Sequence, residues 1–210
     1  MIGKQINQML DYLSGKFLAL KVNTNAWYLD EEKAHTILQA GVNTLVFSAD
    51  AAEEPLYSQL RVNGNLERVL NNIERFQKIR ETQYPDANLI TRVSGVQYHK
   101  DQDFGSMEHL WSGLVDQVAF VDYVPWETTY ERDINEITQP CSDLFRRMFV
   151  WADGRVNPCD VDYLSTLSVG NTMDVSLSDL WTGDAYAQMR EKHLNKQRGN
   201  ISPCDRCSFV

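Results

Sequence analysis

The chain has 210 residues, 43% of them hydrophobic and 23% charged, with a net charge of −9 and a pI near 4.9. That is the balance of a globular, water-soluble protein with room for one large domain and a small module. The acidic surplus, without a basic run or an interleaved aromatic–basic stripe, argues against non-specific nucleic-acid binding, which rests on Lys and Arg neutralising phosphates. No stretch approaches the roughly 20 apolar residues of a membrane helix, and Met1–Leu10 lacks the continuous apolar core of a signal peptide. The expectation is a cytoplasmic protein with no nucleic-acid or membrane partner.

Ile6, Met9, Leu10 and Leu13 stand at helical spacing, which predicts a helix over 4–14 that Gly15 stops. Phe17–Val22 is a short apolar run that fits a buried strand. Asp30-Glu-Glu-Lys33 supplies a cap and an acidic first turn for a helix to Ala40, with Gly41 as its stop. Thr44–Ser48 is the next strand. Leu66, Val69, Leu70, Ile73 and Phe76 then mark a helix, Asn88–Val93 a strand, Phe104–Leu114 a helix and Gln117–Val121 a strand. Strands alternating with helices predict βαβ units and a parallel sheet of about four strands. The fold class expected is α/β.

The character changes near Thr129, so residues 1–128 and 129–210 read as two domains. Glu131–Pro140 is a polar connector. Arg147–Ala152 and Arg155–Pro158, joined by Asp153-Gly154, read as a β-hairpin with a type I′ turn. Ser176-Leu-Ser-Asp179 has the form of a capping box opening a short helix through Trp181. Asp184 is placed to cap a second helix, Ala185–Leu194.

The second domain holds all four cysteines: Cys141, Cys159, Cys204 and Cys207. The last two form a Cys-x2-Cys knuckle. In a reducing compartment four such thiols read as metal ligands before disulfides. Structural zinc usually sits between two knuckles, and this chain has one. A scattered set suits a 4Fe–4S cube, whose ligands lie farther apart than those of one ion. Spacing therefore favours iron–sulfur, and leaves zinc and unligated thiols open.

The run Pro140-Cys141, Val150-Trp-Ala-Asp-Gly154-Arg-Val-Asn-Pro-Cys159, Val169-Gly-Asn171, Ser176-Leu-Ser-Asp-Leu-Trp181, Met189-Arg190 and Pro203-Cys204-Asp-Arg-Cys207 resembles the SPASM/twitch extension of radical S-adenosylmethionine (SAM) enzymes. The resemblance implies one auxiliary 4Fe–4S cluster on these four cysteines. Upstream, Lys21–Ala26, Ala40–Asp50 and Tyr57 to Ile73 resemble the third and fourth βα units of the radical SAM partial barrel. The chain thus reads as the C-terminal part of such an enzyme, an incomplete partial barrel without its first two strands followed by a small hairpin-and-helix iron–sulfur module. In that family polar residues at the ends of the fourth and fifth strands contact SAM, which assigns Ser48 and Arg92 as cofactor-binding candidates. Sheet-end solvation is their bland alternative.

One departure from the family matters. Its reactive cluster is held by Cys-x3-Cys-x2-Cys, and no cysteine precedes Cys141. The expectation is that this polypeptide does not cleave SAM reductively alone, and that SAM binds only if the missing N-terminal part is supplied. The expected partner is a separate N-terminal radical SAM half, or a second copy joined through the open sheet edge at Phe17–Val22. The competing class is a non-catalytic zinc- or iron–sulfur-binding, partner-interaction domain. The catalytic residues and the substrate are not legible. His35, His99, His109 and His193 show no mutual metal spacing and read as ordinary surface or satisfied residues. Asp160 and Asp162 read as solvated turn acids, with tuning of the cluster or contact with substrate as the alternative. Trp111, Trp126, Trp151 and Trp181 read as core anchors.

Overall fold

Two polar side chains start the main helices of the first half. In α2 (Glu31–Gln39) the Asp30 carboxylate accepts the Lys33 amide at 2.9 Å. In α4 (Leu66–Gln83) the Asn65 side chain accepts the Arg68 amide at 2.8 Å. Each satisfies an amide that a helix start leaves without an internal partner. Both elements belong to the first of two compact units into which the chain divides, between Tyr123 and Val124. The computed structural model describes residues 5–210; the expected helix start at Lys4 lies outside them.

Unit 1 runs α1 (Ile6–Leu13), β1 (Lys21–Thr24), α2, β2 (Thr44–Ser48), α3 (Leu56–Leu60), α4, β3 (Ile90–Gln97), α5 (Phe104–Ser112) and β4 (Gln117–Asp122). The four strands form one parallel sheet in the order β1-β2-β3-β4. Leu45, Phe47 and Val93 face a core filled by Ile37 and Leu38 of α2, Ile73 and Phe76 of α4, and Met107 and Trp111 of α5. The register pairs Val46 with Arg92 and Ser48 with Ser94. Ser48, Arg92 and Ser94 therefore share the opposite, more polar face, because successive side chains alternate.

Loops at the C-terminal strand ends are pinned by side chains. Asn72 donates to the Ala26 carbonyl at 2.8 Å and the Trp27 carbonyl at 3.2 Å, holding the turn after β1, where Ala26 takes φ +56°. Asp50, just past β2, accepts the Val96 amide at 2.9 Å and pairs with Arg61 at 2.5 Å. Gln102 donates to the carbonyls of Asp50 and Val96, both at 2.7 Å. Gly95 admits this close packing: a Cβ there would lie 2.6 Å from the Ala49 carbonyl oxygen.

Unit 2 begins with a 3-10 helix, Trp126–Glu131, followed by α6 (Asp143–Arg146), β5 (Phe149–Val150), β6 (Arg155–Asn157), β7 (Gly170–Asn171), α7 (Leu177–Thr182) and α8 (Asp184–Leu194). The three short strands form an antiparallel sheet in the order β5-β6-β7. The Ser176 hydroxyl accepts the Asp179 amide at 3.1 Å and donates to the Asp179 carboxylate at 2.7 Å, so the capping signal is realised. Gly170, at φ +143°, lies against α7; a Cβ there would come within 2.7 Å of Leu180 Cδ2.

The α/β fold expected from the alternation is present, and several local expectations are corrected. Phe17–Val22 is not a strand: β1 starts at Lys21, while Phe17 and Leu18 are exposed. The apolar run lacks the neighbouring strand pairing that begins at Lys21–Thr44. The hairpin loop is not type I′, since only Gly154 in it takes a positive φ, +85°; the Gly154 amide closes a turn onto the Trp151 carbonyl at 2.9 Å. Asp184 is the first residue of α8 rather than its cap. The helix α3 and the third strand β7 had no periodic signal, being five and two residues long. Among the described residues no helix is long and apolar enough to cross a membrane.

Asp116 gives a direct test of how unit 1 is held. Its carboxylate accepts the Thr91 amide at 2.7 Å, the Thr91 hydroxyl at 2.8 Å and the Arg80 guanidinium at 2.8 Å. Burial pushes this carboxyl up, but those hydrogen bonds outweigh it and hold it below its ordinary value. The resulting stability is present above the unfolded carboxyl value near 3.8 and is lost as the pH falls through the lower folded one. Asp116→Asn should lower stability at pH 7 by about 1 kcal/mol, a figure discounted for solvent screening of the exposed pair. Urea titration should show the gap between wild type and variant closing below pH ~4. A gap independent of pH would overturn this assignment.

Candidate metal centre

The cysteines reach one place because unit 2 ties its two ends together. The Asn135 amide donates to the Asp205 carbonyl at 2.9 Å, and the Asn135 side chain to the Cys207 carbonyl at 3.2 Å. Arg206 donates to the Arg132 carbonyl. The connector before Cys141 is thereby laced to the Cys204–Cys207 knuckle. Cys159 comes from the other direction, two residues beyond the end of β6.

Cys141, Cys159, Cys204 and Cys207 all line one cavity of about 290 Å3. Val124, Trp126, Val161, Pro203 and Phe209 supply apolar walls. The four thiols are free and partly buried. Among the described residues no group of three or more His, Cys, Asp or Glu side chains is placed to hold a single metal ion. Burial pushes Cys159 and Cys204 up to about 12, and the neighbouring thiols add to the rise. As neutral thiols they can share this apolar pocket. Metal binding has to displace their protons.

Two buried cationic-type side chains stand behind the thiols. His193 is fully buried, and its Nδ1 accepts the Cys141 amide at 3.1 Å. The proton of the neutral ring is then on Nε2, which is buried without a partner. Burial, then the Arg198 charge, lowers His193 to about 4, so it is neutral near pH 7. Arg198 is 1% exposed and also lines the cavity. It donates from Nε to the Cys204 carbonyl at 2.9 Å, from Nη1 to the Gln139 carbonyl at 3.3 Å and from Nη2 to the Cys207 carbonyl at 2.5 Å.

Residues 141–208 match the family model of SPASM, an iron–sulfur cluster-binding domain. Over these residues the chain is similar to that domain. No curated protein matches the chain by sequence. Among solved structures, Streptococcus suis SuiB bound to the precursor peptide SuiA is similar at TM-score 0.69 and 12% identity, over 97% of this chain and 61% of that one. BtrN in complex with AdoMet and 2-DOIA is similar at TM-score 0.54 and 16% identity, over 99% of this chain and 68% of that one. Histidine-tagged anSMEcpe with bound AdoMet follows at TM-score 0.51 and 12% identity, over 89% and 61%. These are radical SAM enzymes, and at such identities the likeness establishes a shared fold. The chain spans about three fifths of the length of SuiB and of anSMEcpe.

Ser48 is the last residue of β2, as the sequence suggested. Arg92 is not at a strand end: it is the third residue of β3, paired with Val46 on one side and Gln117 on the other. The strand continues to Gln97, four residues past the expected end. Arg92 still shares a sheet face with Ser48, and its Nε is buried without a partner.

In unit 2, Asp160 lines the cavity but Asp162 is no solvated turn acid: it is fully buried. Its carboxylate accepts the Thr166 amide and hydroxyl, both at 2.9 Å, the Leu167 amide at 2.8 Å, and the Tyr130 hydroxyl. Trp111 is a core anchor, whereas Trp126 is 44% exposed and forms cavity wall. His193, read from the sequence as ordinary surface or satisfied, is buried with its Nδ1 satisfied by the Cys141 amide. Arg198 was missed: its only signal was proximity in sequence to the knuckle.

Asp162→Ala should leave two backbone amides without an acceptor, at about 1–3 kcal/mol for each group that stays buried. Hydrogen exchange at Thr166 and Leu167 in the metal-free protein should rise at least about tenfold, the equivalent of ~1.4 kcal/mol. Unchanged exchange at both positions would show that the loop after Cys159 is held by something else.

Proposed function

We propose that the SPASM domain of this chain binds one auxiliary 4Fe–4S cluster through Cys141, Cys159, Cys204 and Cys207, within a radical SAM assembly. The observation that carries the reading is the convergence of all four thiols on one cavity of about 290 Å3. Zinc wants four ligands about 2.3 Å from a single point. A scattered set with one Cys-x2-Cys knuckle suits a cube better. When bound, such a cluster supplies a one-electron couple.

Four protein thiolates leave no iron open, so substrate ligation by this centre is not part of the reading. Its work is passing an electron or holding the end of the chain in place. The apolar walls keep water from the sulfurs, and the laced backbone fixes where each thiolate points.

The 210 residues contain no further cysteine. The three thiolates of a reactive SAM cluster therefore have to come from outside them. In this reading the part that carries them docks along β1, which in the described sheet pairs only with β2. Ser48 and Arg92, together on the polar face of the sheet, are then the SAM-contacting groups. A second copy pairing through β1 is the competing occupant; concentration-dependent dimerisation in light scattering would favour it.

Anaerobic reconstitution should give about four iron and four sulfide per chain, with broad absorption near ~400 nm from sulfur-to-iron charge transfer. Cys159→Ser and Cys204→Ser should each cut the iron content severalfold. Stoichiometric zinc with no iron under those conditions would overturn the reading. The reconstituted chain alone, reduced with dithionite, should release no 5′-deoxyadenosine from SAM. Turnover above the enzyme-free background would show that the missing thiolates are not required.

A further inference from the structure

Arg198 is the most buried charge at the thiol cavity, and its company is unusual. All three of its nitrogens donate to backbone carbonyls, those of Gln139, Cys204 and Cys207. Asp143 and Asp160 line the same cavity, but among the described residues no carboxylate forms an ion pair with Arg198. The other charges around the cavity are arranged differently. Asp143 is paired with Arg146 at 3.1 Å and Arg147 at 3.2 Å. Arg132 is only half-buried and donates to the Pro125 carbonyl at 2.6 Å.

A buried cation without a counter-ion is costly. Carbonyl dipoles offset part of that cost but add no net negative charge. What would neutralise Arg198 is an anion inside the cavity that it lines. Four thiolates around a 4Fe–4S core form such an anion, and its charge becomes more negative by one on reduction. In a site of low dielectric a fixed neighbouring cation weighs far more than it would in water.

We propose that Arg198 is the positioning and charge-balancing residue of the metal centre: its guanidinium ties the Cys141 segment to the Cys204–Cys207 knuckle, and its fixed positive charge favours the reduced cluster. The inference rests on the function proposed above. It goes further in naming what sets the readiness of the centre to accept an electron. Two roles meet in one side chain because the planar fork fixes three carbonyls at once, which the single ammonium of a lysine does not reproduce.

The test uses the full chain, reconstituted anaerobically, as wild type, Arg198→Met, Arg198→Lys and Arg132→Gln. Iron content and metal-free thermal melting come first. A wild type that takes up no iron removes the metal-centre reading itself, and is distinct from any result on the variants. With wild type loaded, electron paramagnetic resonance during titration with dithionite gives the midpoint of the one-electron couple. Arg198→Met should shift the reduced-to-oxidised ratio at a fixed potential at least tenfold toward oxidised, about 59 mV for one electron. Arg198→Lys should hold most of the potential and lose melting temperature. Arg132→Gln, near solvent, should shift the potential less. If Arg198→Met cannot retain iron while Arg198→Lys can, the charge is what the centre requires, and the proposal stands. A fully loaded Arg198→Met with the wild-type midpoint overturns it. Equal loss of iron from the Met and Lys variants also overturns it, leaving the fork as scaffolding alone.

Discussion

The second unit depends on hydrogen bonds from side chains to backbone carbonyls between its two ends. Its strands are two to three residues long, too short to fix a fold by pairing alone. Arg198 and Asn135 do what a larger sheet would otherwise do, reaching the carbonyls of Gln139, Cys204 and Cys207. Arg190 performs a related task elsewhere. It stacks on Trp181 and Tyr186 and donates to the Leu144 carbonyl at 2.9 Å, joining α8 to α6. A small module with little core gains uniqueness from such bonds, because each buried carbonyl left without a donor would cost free energy.

The first unit solves a different problem. Its sheet has one face buried under helices, and the other carries Ser48, Arg92 and Ser94. Parallel sheets are ordinarily covered on both faces. The loops at the C-terminal strand ends are fixed by Asn72, Asp50 and Gln102 rather than left mobile.

The sequence was most informative where one residue type answers one physical demand. Asp30 and Ser176 cap helices because a carboxylate or hydroxyl is needed there, and Gly154 and Gly170 take positive φ where a side chain would strain or clash. The cysteines stood out through their spacing and their absence elsewhere, and all four line one cavity. What stayed hidden depended on tertiary pairing. Phe17–Val22 has the composition of a buried strand, yet the pairing starts at Lys21. Arg92 looked terminal because the apolar run ends at Val93, while β3 continues through Ser94 and Gly95 to Gln97. Asp162 looked like a turn acid, and it is instead buried under donors from Thr166 and Leu167 and from Tyr130, which lies 32 residues earlier.

Tertiary pairing also lets the thiols and the cation coexist before metal arrives. Cys159 and Cys204, pushed up to about 12, are neutral at physiological pH, so the protein does not have to gather several negative charges in an apolar pocket. Arg198 is charged throughout, and its three carbonyls solvate it in place of water. In the proposed centre, metal would replace those protons and leave a net anion beside a cation already in position. Folding of the module and loading of the proposed centre would be coupled in this way: backbone carbonyls hold the cation, and the loaded thiolates would bring the charge that balances it.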